Sequence, residues 1–332
     1  MAKYKVYFLF ALFFSLTLGA KAQLIPNTTK EYGFMGYPTK VHYQKYETDT
    51  NYKILDKRTS FIDESELVFN EDRQLTQRTY FINGNKDRYS NFTYDINRQL
   101  QKEELFEATG KVVSTITYKY GYLGRLEEEQ TVDYPGSLGG ANRMVSRQTY
   151  KWNNKGQITE YSIYGDDAAL QTTIQYYYGP QDSLIYTLTS HGYNKNIEKT
   201  TYRRDYNYNV IEMTMFRNDK QIRRETYVWN DKNQIESKKI FNSDNKLNLS
   251  YAYTYDEHGF VLSEIAKDKK GKMAIEYYYK YEKDKFFNWT KKITYDGWNP
   301  KYIEQRQFTY SNKEYFYDDL KDYDTKKVIL ER

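Results

Sequence analysis

The sequence predicts an all-β protein: an antiparallel meander of about 18–20 strands, made of about ten repeats of ~26 residues and coiled into a curved or spiral ribbon. Three observations carry this. Tyrosine supplies 39 of 332 residues while hydrophobic residues reach only 39%, so the interior is built from rings that bury a face and keep a hydroxyl in water. An aromatic anchor followed six residues later by an aliphatic recurs along the chain. A second turn register runs between these anchors, and two turns per period mean two strands per period.

The anchors, each with its aliphatic, are Phe69 with Leu75, Tyr94 with Leu100, Tyr120 with Leu126, Trp152 with Ile158, Tyr178 with Leu184, Trp229 with Ile235 and Tyr255 with Val261. Weaker copies place Asp205 with Ile211 and Tyr281 with Phe287, and Tyr310 opens a truncated one. The residue two before each anchor is usually aromatic too, as at Phe92, Tyr118, Tyr150, Tyr176, Tyr227, Tyr253, Tyr279 and Phe308. Same-face alternation on a strand requires that spacing of two. Just after the anchor stands Asn70, Asp95, Asn153, Asn230 or Asp256, whose side chain can bond turn N–H groups. Gly84, Gly110, Gly165, Gly192, Asp219, Asn245, Gly271 and Gly297 mark the second register. Residues 23–66 are expected to form an N-terminal cap and the first strands, with one strand over Lys40 to Tyr46. Residues 67–312 form the repeat domain and residues 313–332 a charged tail or cap.

Residues 1–22 read as an export signal. Lys3 and Lys5 precede the uncharged run Val6 to Leu18, and Ala20-Lys21-Ala22 is a small-x-small cleavage site. The run is short for a membrane anchor, which needs about 20 apolar residues. The formal charge of +5 loses Lys3, Lys5 and Lys21 with the signal, leaving a near-neutral chain with scattered Lys and Arg. That disfavours nucleic acid as a partner. The absence of Cys excludes disulfides, thiolate metal sites, a Cys nucleophile and a lipidated N-terminal Cys.

The segments Tyr94-Asp95, Trp152-Asn153-Asn154-Lys155-Gly156 and Tyr255-Asp256-Glu257-His258-Gly259 resemble YD repeats of the RHS type, and the likeness covers about residues 37–312. The chain is similar to the short exported forms of Bacteroidetes envelopes. In large RHS and teneurin-like proteins such repeats coil into a β-shell that encloses or displays other polypeptide. This chain has no Asp-Pro dipeptide of the kind that marks their self-cleavage site, so neither autoproteolysis nor a payload is implied.

Chemistry is sparse. His42, His191 and His258 are the whole histidine supply, two of them at turns, and no nucleophile-elbow, zincin, Walker or dinucleotide pattern occurs. Asp318, Asp319, Asp322 and Asp324 lack the spacing of a calcium loop. No cofactor or metal is expected. Departures from the repeat are the better clue, because loops on a rigid scaffold concentrate binding residues. The enlarged tip Asp133 to Met144 offers Tyr134, Pro135, Leu138 and Met144, and Trp298 stands at another tip. The expected function is a non-enzymatic scaffold, exported to the periplasm with an extracellular location as the alternative, that is not membrane-spanning. Its expected partner is a protein, to be sought in outer-membrane secretion or assembly machinery. The alternative is a carbohydrate-binding protein using Tyr and Trp ring faces.

Overall fold

The computed structural model describes residues 27–311 except 54, 56–60, 137–142 and 195. The export signal, Leu138 and the tail 313–332 lie outside the described residues. The strands are β1 (Pro38–Glu47), β2 (Phe61–Phe69), β3 (Leu75–Ile82), β4 (Asn85–Tyr94), β5 (Leu100–Glu107), β6 (Val112–Tyr120) and β7 (Leu126–Asp133). They continue as β8 (Met144–Trp152), β9 (Ile158–Tyr164), β10 (Leu170–Tyr178), β11 (Leu184–His191), β12 (Ile197–Arg204), β13 (Val210–Arg217) and β14 (Lys220–Trp229). The last six are β15 (Ile235–Phe241), β16 (Leu247–Tyr255), β17 (Val261–Asp268), β18 (Met273–Lys283), β19 (Trp289–Asp296) and β20 (Asn299–Tyr310).

Consecutive strands pair antiparallel throughout, and β1 also pairs with β20 from Pro38↔Tyr310 to Glu47↔Tyr302. The 20 strands therefore form a closed barrel, not the spiral ribbon expected from the sequence. The strand expected in a cap is the reason. Lying between β2 and β20, β1 pairs both free edges, and closure is the one arrangement that removes unpaired rows of N–H and C=O altogether.

One circuit along paired residues returns to β1 displaced by about 22 residues, which for 20 strands at about 4.8 Å means a tilt near 37° and a backbone radius of about 19 Å if circular. Barrels of 16–18 strands already enclose an aqueous channel. Among the described residues, ring stacks and ion pairs join strands no more than two apart, except those made by residues 27–37. The aromatic face is therefore turned to a bore and is not packed on itself as expected.

The anchors close hairpins, and six of them also clasp the preceding one. Across a register shift Tyr94 pairs with Leu100, Trp152 with Ile158 and Trp229 with Ile235. In the turn, Asp95 Oδ1 accepts from the N–H groups of Asn97 at 2.9 Å and Gln99 at 2.8 Å, and Asn153, Asn230 and Asp256 repeat this. The next strand pairs only from two residues further on, so the carbonyl of the aliphatic residue is left out of the ladder. The following anchor fills that vacancy in the ladder. Tyr94 Oη donates to Leu75 O at 2.8 Å, Trp152 Nε1 to Leu126 O at 2.6 Å, Tyr178 Oη to Ile158 O at 2.8 Å and Trp229 Nε1 to Val210 O at 2.8 Å. Tyr255 bonds Ile235 O at 2.7 Å and Tyr281 bonds Val261 O at 3.0 Å.

Two weak copies differ from the sequence reading. Arg204 pairs with Val210, so Arg204 holds the anchor place and Asp205 is the turn acceptor, bonding the N–H groups of Asn207 and Asn209. The β18–β19 hairpin runs two residues past Tyr281, to Lys283↔Trp289, which makes Phe287 a turn residue with φ 64° and not a strand aliphatic.

Buried residues concentrate where residues 27–37 cross one mouth of the barrel. Phe34 meets Phe69 at 6.2 Å and Phe308 at 5.5 Å, Tyr32 stacks on Phe34, and Asn288 Nδ2 donates to Met35 O at 2.9 Å. Val41, Leu67, Leu75, Phe92, Leu100, Tyr118, Leu126, Tyr150 and Ile158 continue this cluster along the wall. Trp229→Ala should cost about 3 kcal/mol in chemical denaturation, since it removes a half-buried ring and orphans a carbonyl. Trp298→Ala should stay within about 0.5 kcal/mol, and comparable losses for the two would contradict the clasp.

Candidate functional site

The register divides every strand into a bore-facing and an outward set. Phe92, Tyr118, Tyr150, Tyr176, Tyr202, Tyr227, Tyr253 and Tyr279 face the bore. Their cross-strand partners on the same face include Glu103, Glu129, Tyr161, Thr187, Met213, Lys238, Glu264 and Thr294. The alternate positions carry Lys102, Lys119, Glu128, Lys151, Glu160, Arg203, Lys239, Lys267 and Lys280. The barrel is thus charged outside and aromatic with interspersed charges inside.

Carboxylates of the bore are tied to phenols. Tyr150 Oη donates to Glu129 Oε1 at 2.7 Å, Tyr227 Oη to Glu225 Oε2 at 2.6 Å, Tyr43 Oη to Glu304 Oε2 at 3.0 Å and Tyr279 Oη to Glu264 Oε2 at 3.3 Å. Burial, reinforced by the adjacent carboxylate, raises these four phenols, so they stay protonated donors at neutral pH. Burial also raises Tyr161 and Tyr176 to about 12. Such phenols are poor nucleophiles and good hydrogen-bond donors.

Glu103 is the least comfortable group. It is 8% exposed, burial raises its pKa against Ser90 and Arg78, and its Oε2 has no hydrogen-bond partner. Arg78, which bonds Tyr32, joins this wall to the crossing segment. On the far side of the bore Lys238 is lowered by burial and lies 4.5 Å from the Tyr251 ring centre. The histidines are structural in their contacts. His42 Nε2 meets Glu64 Oε1 at 2.9 Å on the outside, His191 Nδ1 meets Thr172 Oγ1 at 3.2 Å, and His258 stacks on Phe287. Among the described residues no three His, Asp or Glu converge as a metal site; Asp318, Asp319, Asp322 and Asp324 lie outside them.

The even-to-odd turns form a first rim, the one that residues 27–37 cross, and the odd-to-even turns form a second. Of the residues singled out from the sequence, Tyr134, Pro135, Met144 and Trp298 all lie on the second rim. Tyr134 N–H continues the strand pairing to Val113 O at 3.0 Å, Pro135 is exposed and Met144 half out in solvent. The β7–β8 tip and the β19–β20 tip are eight strands apart by the shorter way, about 35 Å across a circular barrel, so they do not make one surface.

The first rim holds side chains the sequence reading passed over. Tyr122 is 100% exposed and Ile96 96%, with Leu123, Tyr206 and Tyr208 also well out. Ile96, Tyr122 and Tyr206 occupy the second place of the anchor turn, where other copies carry Glu71, Asn154, Asp231 and Glu257. An apolar residue at a turn place otherwise polar was the available signal.

No protein-family model matches the chain, and no curated protein matches it in sequence. Among solved structures, a porin-like protein from Bacteroides uniformis is similar at 12% identity, over 86% of this chain and 99% of that one, with a TM-score of 0.37. A porin-like protein from Bacteroides vulgatus gives 9% identity, 83% and 100% coverage and a TM-score of 0.30. The TcdB2-TccC3-TEV structure gives 9% identity and a TM-score of 0.29, with 74% of this chain matched to 16% of that one.

Glu103 supplies a pH test. Its folded pKa is raised, so its contribution favours folding fully below the ordinary carboxylate pKa of about 4.3 and is lost as pH rises through the folded value. The Glu103 share of the unfolding free energy should therefore fall as pH rises above about 4, and Glu129 and Asp63, also raised by burial, add to the same slope. Glu103→Gln should flatten that segment of the profile and be the more stable protein at pH 7. An unchanged slope in the variant would mean that Glu103 is ionised at little cost.

Proposed function

We propose that the chain is a non-enzymatic, protein-binding scaffold, a closed β-shell that docks on an envelope partner through its first rim. The observation that supports this is the pair of adjacent tips bearing Ile96, Tyr122 and Leu123, well out in solvent on turns closed by the Asp95 acceptor in one and by backbone bonds at Gly121 in the other. Turn-to-turn bonds stiffen the same rim: Gln74 Nε2 donates to Arg98 O at 2.9 Å and Gln99 Nε2 to Gly124 O at 3.0 Å. Preorganised apolar anchors of this kind lose little entropy on binding.

A non-enzymatic role is supported by the phenols that engage the bore carboxylates Glu129, Glu225, Glu264 and Glu304, which leaves these four little freedom for acid–base exchange with a substrate. The outward set argues against a lipid-facing wall, because Lys or Arg at a bilayer midplane costs about 2–4 kcal/mol each on a barrel exterior. Lys102, Lys119, Lys151, Arg203, Lys239 and Lys280 all sit there. The export-signal reading of residues 1–22 supports a periplasmic setting, and with it a partner in outer-membrane secretion or assembly machinery.

Affinity purification from detergent-solubilised envelope should recover a stoichiometric membrane partner with the wild type. The double variant Tyr122→Ser, Leu123→Ser should lose it while keeping its melting temperature. Recovery of free monomer alone, or a partner retained by the double variant, would contradict rim docking.

A further inference from the structure

On the outer side of the second rim four rings meet. Trp298 stacks on Tyr278 with centroids 5.9 Å apart and planes 17° from parallel. Tyr278 is the direct cross-strand partner of Tyr295, and Tyr295 receives Tyr52 edge-on at 6.2 Å, with the two hydroxyls 3.4 Å apart. Tyr52 comes from the segment after β1, pinned to the barrel where Thr48 N–H donates to Lys301 O at 3.1 Å and turned by Asp49, which accepts from the N–H groups of Asn51 and Lys53. The row thus spans β18, β19 and a separate loop brought over them.

The fold does not require this row. The two-residue β19–β20 turn is Gly297-Trp298, in which Gly297 takes the positive φ. The equivalent two-residue turns Asn83-Gly84 and Asn218-Asp219 are closed with small polar residues. Trp298 is 88% exposed, and among the described residues its Nε1 meets no acceptor. A large ring held flat against a second ring, with its in-plane donor free, presents both an apolar face and a hydrogen-bonding edge.

The surroundings narrow the ligand. Lys301 is already engaged, by Asp296 at 2.7 Å and by Tyr277, and the exposed Lys280 stands on the other side of Tyr278 from Glu276 along β18, so the two charges flanking that ring are of opposite sign. Glu276, whose Oε1 accepts from Tyr278 at 3.1 Å, has no cationic partner among the described residues and would repel an anionic ligand. The rings lie open on the outer wall and not in the desolvated pocket that a buried protein anchor fills. What suits a flat, uncharged ring row bordered by a carboxylate, an indole N–H and phenol hydroxyls is a molecule with an apolar C–H face and a hydroxylated edge.

We propose that Trp298, Tyr278, Tyr295 and Tyr52 form a platform for a neutral saccharide. Its pyranose faces lie on the exposed rings, and its hydroxyls reach Trp298 Nε1, the Glu276 carboxylate and the Tyr52–Tyr295 hydroxyls. This site is separate from the first rim and does not depend on docking there.

The test is calorimetry and saturation-transfer NMR on the exported chain with maltohexaose, cellohexaose and mannohexaose, and a hyaluronan hexasaccharide as the anionic arm. At least one neutral hexamer should bind. Trp298→Ala should weaken it about tenfold or more while Trp298→Phe retains most of the affinity. Both variants should keep the wild-type melting temperature. Three results would overturn the proposal: no neutral hexamer binding at about 5 mM, binding of the anionic hexamer alone, or neutral binding that survives Trp298→Ala. Capture of an envelope protein through Trp298, with no saccharide bound, would equally overturn it and assign the row to a protein.

Discussion

The structure depends on a hydrogen bond from a ring to a carbonyl. Each time the chain returns from a hairpin of the first rim, the carbonyl of the first residue of the returning strand falls outside the ladder. The phenol or indole of the next anchor donates to it. A buried backbone carbonyl without a partner costs about 1–3 kcal/mol, and this arrangement would leave one in nearly every repeat. Phe or Leu would fill the space and not the valence, which is why the anchor is Tyr or Trp in six clasps of known length. Arg204 shows the alternative. Its Nη1 turns back to Tyr208 O at 2.7 Å and its buried Nε has no partner, so this copy lacks the clasp.

Ring closure is completed by β1, which pairs with both β2 and β20. Tilt and stagger near the values of a regular barrel leave a bore too wide for side chains to fill. The inner wall is lined by side chains with an apolar body and a polar tip, which bury their rings along it and cover small residues such as Thr187, Ser263 and Thr294. The carboxylate–phenol pairs fit this setting: each phenol is held protonated by burial, and each carboxylate gains a donor it could not find in an aliphatic core. Where residues 27–37 cross the first mouth, the fully buried Val41 and Leu75 join one cluster with Phe34, and Ile158 extends that cluster along the wall.

Much of this was legible in local spacing. The anchor–aliphatic interval of six is the distance from the last residue of one strand to the first of the next across an Asx turn, so strand number and turn positions could be read directly. Asp205 reads as an anchor in the sequence because its neighbour Arg204 is not aromatic. Phe287 reads as a strand aliphatic because the hairpin after Tyr281 is two residues longer than its siblings. Closure was hidden for a different reason: β1 has no anchor of its own, and its partner β20 lies more than 250 residues away, as at Gln44↔Gln305. A local repeat cannot distinguish a ribbon from a ring, since both satisfy every hairpin equally. For the site, Trp298 stood out as a ring at a turn tip, but Tyr52, Tyr278 and Tyr295 looked like ordinary members of a Tyr-rich sheet until the register and the loop over it brought them together.

The central claim is that β1 and β20 close the barrel, and the chain's lack of cysteine makes that directly measurable. Gln44 and Gln305 are paired residues on the outer face of this seam. Directly opposed strand residues have Cα atoms about 4.5–5.5 Å apart, within the range a disulfide spans. In the double variant Gln44→Cys, Gln305→Cys, mild oxidation of dilute protein should give an intramolecular cross-link in nearly every molecule. It should be seen as a redox-dependent gel shift and as one linked peptide pair after proteolysis. Free thiols that persist under the same oxidation, or disulfides formed only between molecules, would contradict closure and restore an open ribbon with two free edges.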